Sequence, residues 1–561
     1  MFKDENYQEI ARFHNDFTGI NKIIDNYQLV AYNNYHYDDP ILTRMLAGWS
    51  PTQLKALNDN IIVHKQDHKR NIYSGIKNSL DTMQQINVTP VSLKQIEGNM
   101  GKAIVESKVS FKIERPLTDA EIADTWHYNA VDVDSVIDIY KLRKKRYFEA
   151  KKRLIEMLPP TTRDLAHRWN TTTIVANILS DKPVDKWASI RVPDHIMALA
   201  PPEVRDMWVE HTAFALSKGK KPTMTIRDMG VDTVFGFGGL HAAPSGYQEF
   251  SNVILYDVAS MYPSIIILLN ALGVSTKVYA EIKEKRLEAK ARGDEDMDAP
   301  LKLILNSTYG LMNNEYSMMY NPLALYTVVI YGQISLYTLM KMIAPHGQIV
   351  QGNTDGVAYV PHSKQDEEYV RNVIIPKWEE QFQLTMEEQH FDKFFQRDVN
   401  NYIAIQDIKK GIVKDNVTLK GGDVKKAIYN DFFGNNSIRI VDVAIAEYLV
   451  NGKDVLSTLQ ENIHNPLLFQ YILKGGSTFV AIRDDNGNEY QKVNRVFAVK
   501  ENIPHVLLRK YRVDGTFTRF PDAPDRMLVW NEGVDELNYL KEIVDWNFYY
   551  TLINKKLEKW R

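Results

Sequence analysis

Residues 253–264 read Val-Ile-Leu-Tyr-Asp-Val-Ala-Ser-Met-Tyr-Pro-Ser. An apolar, β-prone run that meets a carboxylate, then small residues and Tyr-Pro, is the pattern of a buried strand breaking into a turn. Such a strand end holds Asp257 rigidly, with the Val258 carbonyl beside it. Oxygen donors of this kind suit a hard cation. Mg²⁺ keeps several waters, so one or two carboxylates and the phosphates of a substrate complete its shell. Taken alone, an Asp here reads first as a cap at a strand–helix junction.

Two further stretches change the weight of that first one. Lys302-Leu-Ile-Leu-Asn306-Ser-Thr-Tyr309-Gly310 places Lys302, Asn306 and Tyr309 at i, i+4 and i+7 of a helix, on one face. Gly352-Asn-Thr-Asp355-Gly356, between apolar runs, is the pattern of a tight β-hairpin with Asp355 at its tip. Between the first two lies Val278–Arg292, rich in Ala, Glu, Lys and Arg and so a strong helix former. Lys283, Arg286 and Lys290 form a stripe along it. Gly293-Asp-Glu-Asp-Met-Asp-Ala-Pro300 breaks the helix, and Pro300 is expected in the first turn of the next one. Two short helices with facing basic stripes make a clamp for a polyphosphate.

In this order and spacing the three stretches resemble motifs A, B and C of the family B DNA polymerases, here DxxSMYPS, KxxxNSxYG and NTDG. The resemblance implies a right-hand polymerase of α/β and α+β architecture, of phage or mobile-element type. It implies a DNA-directed DNA polymerase that extends a primer 3′-hydroxyl with dNTPs on primer–template DNA. Asp257 and Asp355 would be the catalytic ligands of two Mg²⁺ ions, which Mn²⁺ can replace, with the Val258 carbonyl as a further ligand. Ser260, Met261 and Tyr262 would face the nucleotide, the Tyr262 ring excluding a 2′-hydroxyl. Arg286, Lys290 and Lys302 would grip phosphates, and Asn306 and Tyr309 would line the pocket. The usual motif C is Asp-Thr-Asp-Ser; here Asn353 and Gly356 replace its first and last residues.

Other stretches extend the likeness. Phe235-Gly-Phe-Gly238-Gly239 resembles the family's Gly-Gly element that contacts template; read blind, it is a hairpin turn. Asp398-Val-Asn-Asn-Tyr402 and Thr418-Leu-Lys420-Gly421-Gly422 resemble its Lys-x-Tyr and Thr-x-Lys-Gly elements, with Asn400 in place of Lys. Gly238, Gly239, Tyr402, Lys420 and Gly421 are therefore expected DNA contacts. Only 21 residues separate Ser264 from Arg286, and 41 separate Gly310 from Gly352, which leaves no room for the insertions of protein-primed relatives.

Towards the N-terminus, Tyr27–Tyr32 reads as a strand, Asp38-Asp-Pro as a helix start and Leu117-Thr-Asp-Ala-Glu as a capped helix. Asn33-x-x-x-Tyr37-Asp38 and Tyr128-x-x-x-Asp132 resemble the second and third motifs of the family's RNase H-like 3′→5′ exonuclease. The first motif, Asp-x-Glu on a strand, is expected upstream of Asn33. Asp4-Glu5 is adjacent rather than alternating and does not supply it. Proofreading is therefore expected to be weak or absent, or completed by a separate chain.

The expected division is 1–155 exonuclease-like, 156–250 connecting segment, 251–275 and 321–425 palm, 276–320 two-helix fingers and 426–561 helical thumb. The 561 residues carry a net charge of −3 and no cysteine, which excludes disulfides and thiol catalysis and requires any DNA path to be a local basic groove. The strongest such run is Lys141–Lys145 with Arg146 and Lys151–Arg153. No long uninterrupted apolar run or signal pattern stands out, so a cytoplasmic protein (host cytoplasm if phage-encoded) without a membrane partner is expected. Two alternatives remain from sequence: a catalytically reduced DNA-binding remnant, and one subunit of a split polymerase.

Overall fold

Asp257 lies near the end of a strand in the middle of a nine-stranded sheet. In chain order the strands are β1 Met224–Asp228, β2 Val231–Phe235, β3 His241–Ala243, β4 Gln248–Val258, β5 Gly347–Asn353, β6 Gly356–Pro361, β7 Met386–Asp398, β8 Asn401–Ile405 and β9 Val417–Lys420. Across the sheet they run β9-β8-β7-β4-β6-β5-β3-β2-β1, every neighbouring pair antiparallel. The computed structural model describes all residues except 15, 67–75, 77, 88–90, 110–112, 114, 185–189, 212–219 and 435–436.

The chain is a mixed α/β protein that separates into two compact units. One contains Val175–Asn430, Arg439–Glu461 and Tyr549–Arg561; the other contains Met1–Ile174, Asp431–Ile438 and Asn462–Phe548. Each is assembled from segments distant in sequence.

The nine-stranded sheet belongs to the first of these units. Strand alternation sends Tyr256 to one face, in register with Val357 and Gly352. Met340 packs there, from helix α4 Pro322–Ile343. Asp257 goes to the opposite face, above Val253, Leu255 and Phe391. The three α-helices between β4 and α4 are α1 Met261–Leu268, α2 Thr276–Ala291 and α3 Glu295–Asn313. Tyr279 of α2 donates its hydroxyl to the Leu305 carbonyl of α3 at 2.9 Å. Helix α3 starts five residues before Pro300, not at it. Asp294 caps it by accepting from the Met297 amide, and Glu295, Asp296 and Asp298 suit the positive end of its dipole.

Helix α4 is a largely apolar stretch, interrupted by Thr327, Gln333, Ser335 and Lys341. By length and hydropathy it could cross a membrane, yet it is apolar all round because it is buried inside this unit. The basic C-terminus is anchored: Trp560 is 1% exposed, edge-on to Tyr247 at 6.2 Å and under the Arg397 guanidinium at 5.4 Å.

In the other unit, Leu29–Ala31 and Ser79–Asp81 pair in parallel, and helix Asp119–Arg143 begins in a Thr118–Glu121 capping box. The helical reading of 426–561 holds for Arg439–Asn451 but fails for 471–529, which forms two antiparallel sheets. The strand Val493–Ala498 is buried at all six positions, and Asp484–Asn488 turns between Ala481–Arg483 and Glu489–Tyr490 as a hairpin. Arg495, fully buried, donates to the Gln470 side chain at 2.7 Å and to the Gly98 and Lys102 carbonyls, which fastens residues 93–102 to this sheet.

Removing the Trp560 ring should cost the stability of a large buried aromatic. Trp560→Ala is expected to lose about 3–5 kcal/mol, read by urea denaturation followed by circular dichroism.

Candidate active site

Cross-strand register builds the site. His241, Asn353, Gly356, Asp257 and Glu387 are successive partners on β3, β5, β6, β4 and β7. Directly opposed residues share a face, so one row of side chains crosses five strands. Gly356 is the empty place in that row. A Cβ there would lie 2.9 Å from Asp257 Oδ1 and 3.1 Å from the Tyr256 carbonyl. Glycine lets the Asp257 carboxylate lie close against the hairpin. The Val258 amide donates to the Asp355 carbonyl at 2.8 Å, which locks the strand end to the hairpin tip. The row opens on a cleft of about 420 Å³ lined by both aspartates, Gln351, Tyr402 and Lys420.

Electrostatics mark the pair. Burial, then the Asp355 and Glu387 charges, push the Asp257 carboxyl up to about 7. Asp355, exposed as a residue but lining the cleft, is raised by loss of water and partly relieved by its own backbone amide and Lys420. Like charges held together in a partly dry cleft favour either a proton or a cation. Among the described residues no group of three or more His, Asp or Glu side chains is arranged to hold a metal. The acidic groups gathered here are the two aspartates and, opposite Asp257 in register, Glu387.

A basic wall stands beside the pair. Arg286 donates to Asp298 at 3.1 Å and to Ser260 Oγ at 3.2 Å. Lys283 donates to Ser264 Oγ at 2.8 Å, and Lys290 pairs with Glu387 at 3.7 Å. Ser260 holds φ 52°, a strained conformation for a residue with a Cβ, at the start of α1. Lys302 and Asn306 are exposed on α3. Tyr309 stacks on Tyr262, centroids 4.8 Å apart. Met261 is buried against Gly332 of α4, which leaves only its backbone to face a ligand.

The expected DNA-contact residues gather around the same hairpin. A Cβ on Gly239 would meet Thr354 Oγ1 at 2.9 Å, and Thr354 donates its amide to the Leu240 carbonyl at 2.8 Å. Gly238 is open on all sides but is held through its carbonyl by Gln333, which also bonds both polar groups of Gly236. Lys420 is the cross-strand partner of Tyr402 and lies 5.8 Å over its ring. Gly421 has φ 106° with Asn401 pressed against it. Asn353 is held locally. Its amide donates to the Val399 carbonyl at 2.8 Å, which a carboxylate cannot do. Sequence reading missed His241, Gln333 and Glu387, which carry no motif of their own and become visible only through register and burial. His241 faces Lys420, whose charge, after burial, lowers its pKa.

The exonuclease-like residues lie in the other unit and do not form a comparable pair. Asp132 is ion-paired to Lys94, whose ammonium also sits 4.7 Å over the Tyr128 ring and 3.1 Å from Glu97. Asn33, at φ 61°, donates its amide to Asp81 at 2.8 Å. Asp38 opens helix Asp38–Leu46 and lines a cavity of about 670 Å³ with Phe2, Val30 and Val136.

Neither a protein-family model nor a curated protein matches this chain. Of the solved structures, 176 chains match. One is the family B DNA polymerase of the hyperthermophilic archaeon Pyrobaculum calidifontis. It aligns with 98% of this chain and 72% of its own, at a TM-score of 0.44 and 12% identity.

Asn353→Asp should replace a hydrogen-bond donor by a further carboxylate. A loss of about 1–3 kcal/mol is expected at neutral pH. The loss should shrink in acid as the carboxyl protonates, measured by denaturant unfolding at the two pH values.

Proposed function

We propose that this chain is a DNA-directed DNA polymerase that adds dNTPs to a primer 3′-hydroxyl on a DNA template. The observation that carries this reading is the Asp257–Asp355 pair. Two carboxylates on adjacent strand ends, short of water and of countercharge, face a helix whose stripe is Lys283, Arg286 and Lys290. The donor set fits Mg²⁺, a hard ion that takes one or two carboxylates and keeps its remaining shell for water and phosphate. Asp257, Asp355 and the Val258 carbonyl would hold the ions. Bound there, Mg²⁺ (or Mn²⁺) acidifies the primer hydroxyl and neutralises the pyrophosphate leaving group.

The remaining work is positioning. The 3′-oxygen attacks the α-phosphate, the new P–O bond forms and the bond to pyrophosphate breaks. Arg286, Lys290 and Lys302 would hold the triphosphate from α2 and α3. The Tyr262–Tyr309 stack would floor the sugar and base pocket and select deoxynucleotides. Lys420, Tyr402 and the loop at Gly238–Gly239, all fastened to the catalytic hairpin, would guide primer and template. In this reading residues 251–275 and 321–425 are the palm, and α2 with α3 the fingers. Editing is weak: Lys94 already neutralises Asp132, so a cation competes with an internal ammonium for that carboxylate.

One gel tests the reading. With Mg²⁺, dNTPs and a 5′-labelled primer on template, the wild type should extend. Asp355→Ala should lose about 3–4 kcal/mol or more of transition-state stabilisation, several hundredfold in rate. Lanes without dNTPs should show little shortening. No extension by wild type, or equal extension by the variant, would sink the proposal, and rapid digestion would overturn its editing clause.

A further inference from the structure

Glu387 carries a charge that the two-aspartate chemistry does not require. It stands directly opposite Asp257 in register on β7, and it is one of the charges that push the Asp257 carboxyl up. A third carboxylate beside two others is unfavourable unless something balances it. Lys290 does so, reaching across from α2 to 3.7 Å, with both side chains more than half exposed. The pair therefore bridges the helix that carries the basic stripe and the strand next to the catalytic one. The other two basic groups of that stripe are held differently. Lys283 is bound by the neutral Ser264 hydroxyl, and Arg286 is bound by Asp298 of α3 and by Ser260. Among these three, Lys290 is the one paired with an anion of the catalytic sheet.

We propose that Glu387 is a positioning residue that stands in for nucleotide phosphate. It occupies Lys290 while the site is empty and surrenders it when a triphosphate arrives, so it sets nucleotide affinity rather than the chemical rate. An exposed ion pair is cheap to break and screened by salt, which suits an exchange of this kind. A phosphate oxygen offers Lys290 an anion of higher charge at the same place. Exchange also frees α2 from the sheet at the moment of binding, so loading the site and releasing the helix become one event. The proposal rests on the polymerase reading for the identity of the ligand, but its electrostatics apply to any polyphosphate held at this wall.

The test is a double-mutant cycle on Glu387→Gln and Lys290→Ala, with the full chain. Single-nucleotide incorporation should show the apparent Kd for dNTP falling about three- to tenfold in Glu387→Gln, with kcat changed less than twofold. In the Lys290→Ala background the same substitution should have little effect, and the gain should fade at high salt. Inorganic tripolyphosphate binding, followed by calorimetry without DNA, should show the same pattern. That arm keeps the proposal testable even if no variant extends primers, a result that would count against the polymerase reading alone. Unchanged or weaker nucleotide and tripolyphosphate binding in Glu387→Gln, or an equal effect with and without Lys290, would overturn the exchange.

Discussion

The site depends on the close pairing of β4 with β6, where Gly356 faces Asp257. Two strand ends that each carry a carboxylate repel one another, and burial makes the repulsion stronger. The sheet overrides this because the Val258–Asp355 backbone bond and the missing side chain at 356 lock the hairpin against the strand. The price is visible in the raised carboxyls of Asp257 and Asp355. Everything else nearby is arranged around that unfavourable charge. Lys420 approaches from β9, Lys290 from α2, and Gln333 secures from below the loop that packs Gly239 on Thr354.

Much of this was legible in the sequence because it is local. A β-prone run ending at Asp257, a hairpin ending at Asp355 and a basic stripe at i, i+3 and i+7 are short-range patterns, and the structure carries all three as elements. The Thr118–Glu121 cap is of the same kind. What escaped is what depends on partners far along the chain. Glu387 has meaning only because β7 lies beside β4. Gln333 reads as a polar blemish in an apolar helix until the Gly236–Gly238 loop is folded onto it. Asn353 looks like a lost carboxylate until the Val399 carbonyl is found in front of its amide.

The errors have the same origin. Pro300 was expected to start α3, yet Asp294 offers a better cap, and proline inside a helix costs only what one missing amide and a local clash demand. The region 426–561 was read as a helical thumb from its one strong helical pattern near Arg439–Asn451. Residues 471–529 instead form strands such as the fully buried Val493–Ala498, whose partners Tyr471–Lys474 and Met527–Val529 lie far along the chain. Remoteness also hides the partner of Asp132: Lys94, 38 residues earlier, pairs with it, a contact that no local pattern announces.

The most direct measurement of the central claim is Mn²⁺ binding followed by electron paramagnetic resonance, without DNA or nucleotide, on wild type and Asp257→Asn. The account predicts binding by the wild type that weakens as pH falls through about 7, where the Asp257 carboxyl takes up its proton. It predicts at least tenfold weaker binding in the variant, with that pH dependence lost. Equal binding by both proteins, or affinity indifferent to pH between 6 and 8, would contradict it.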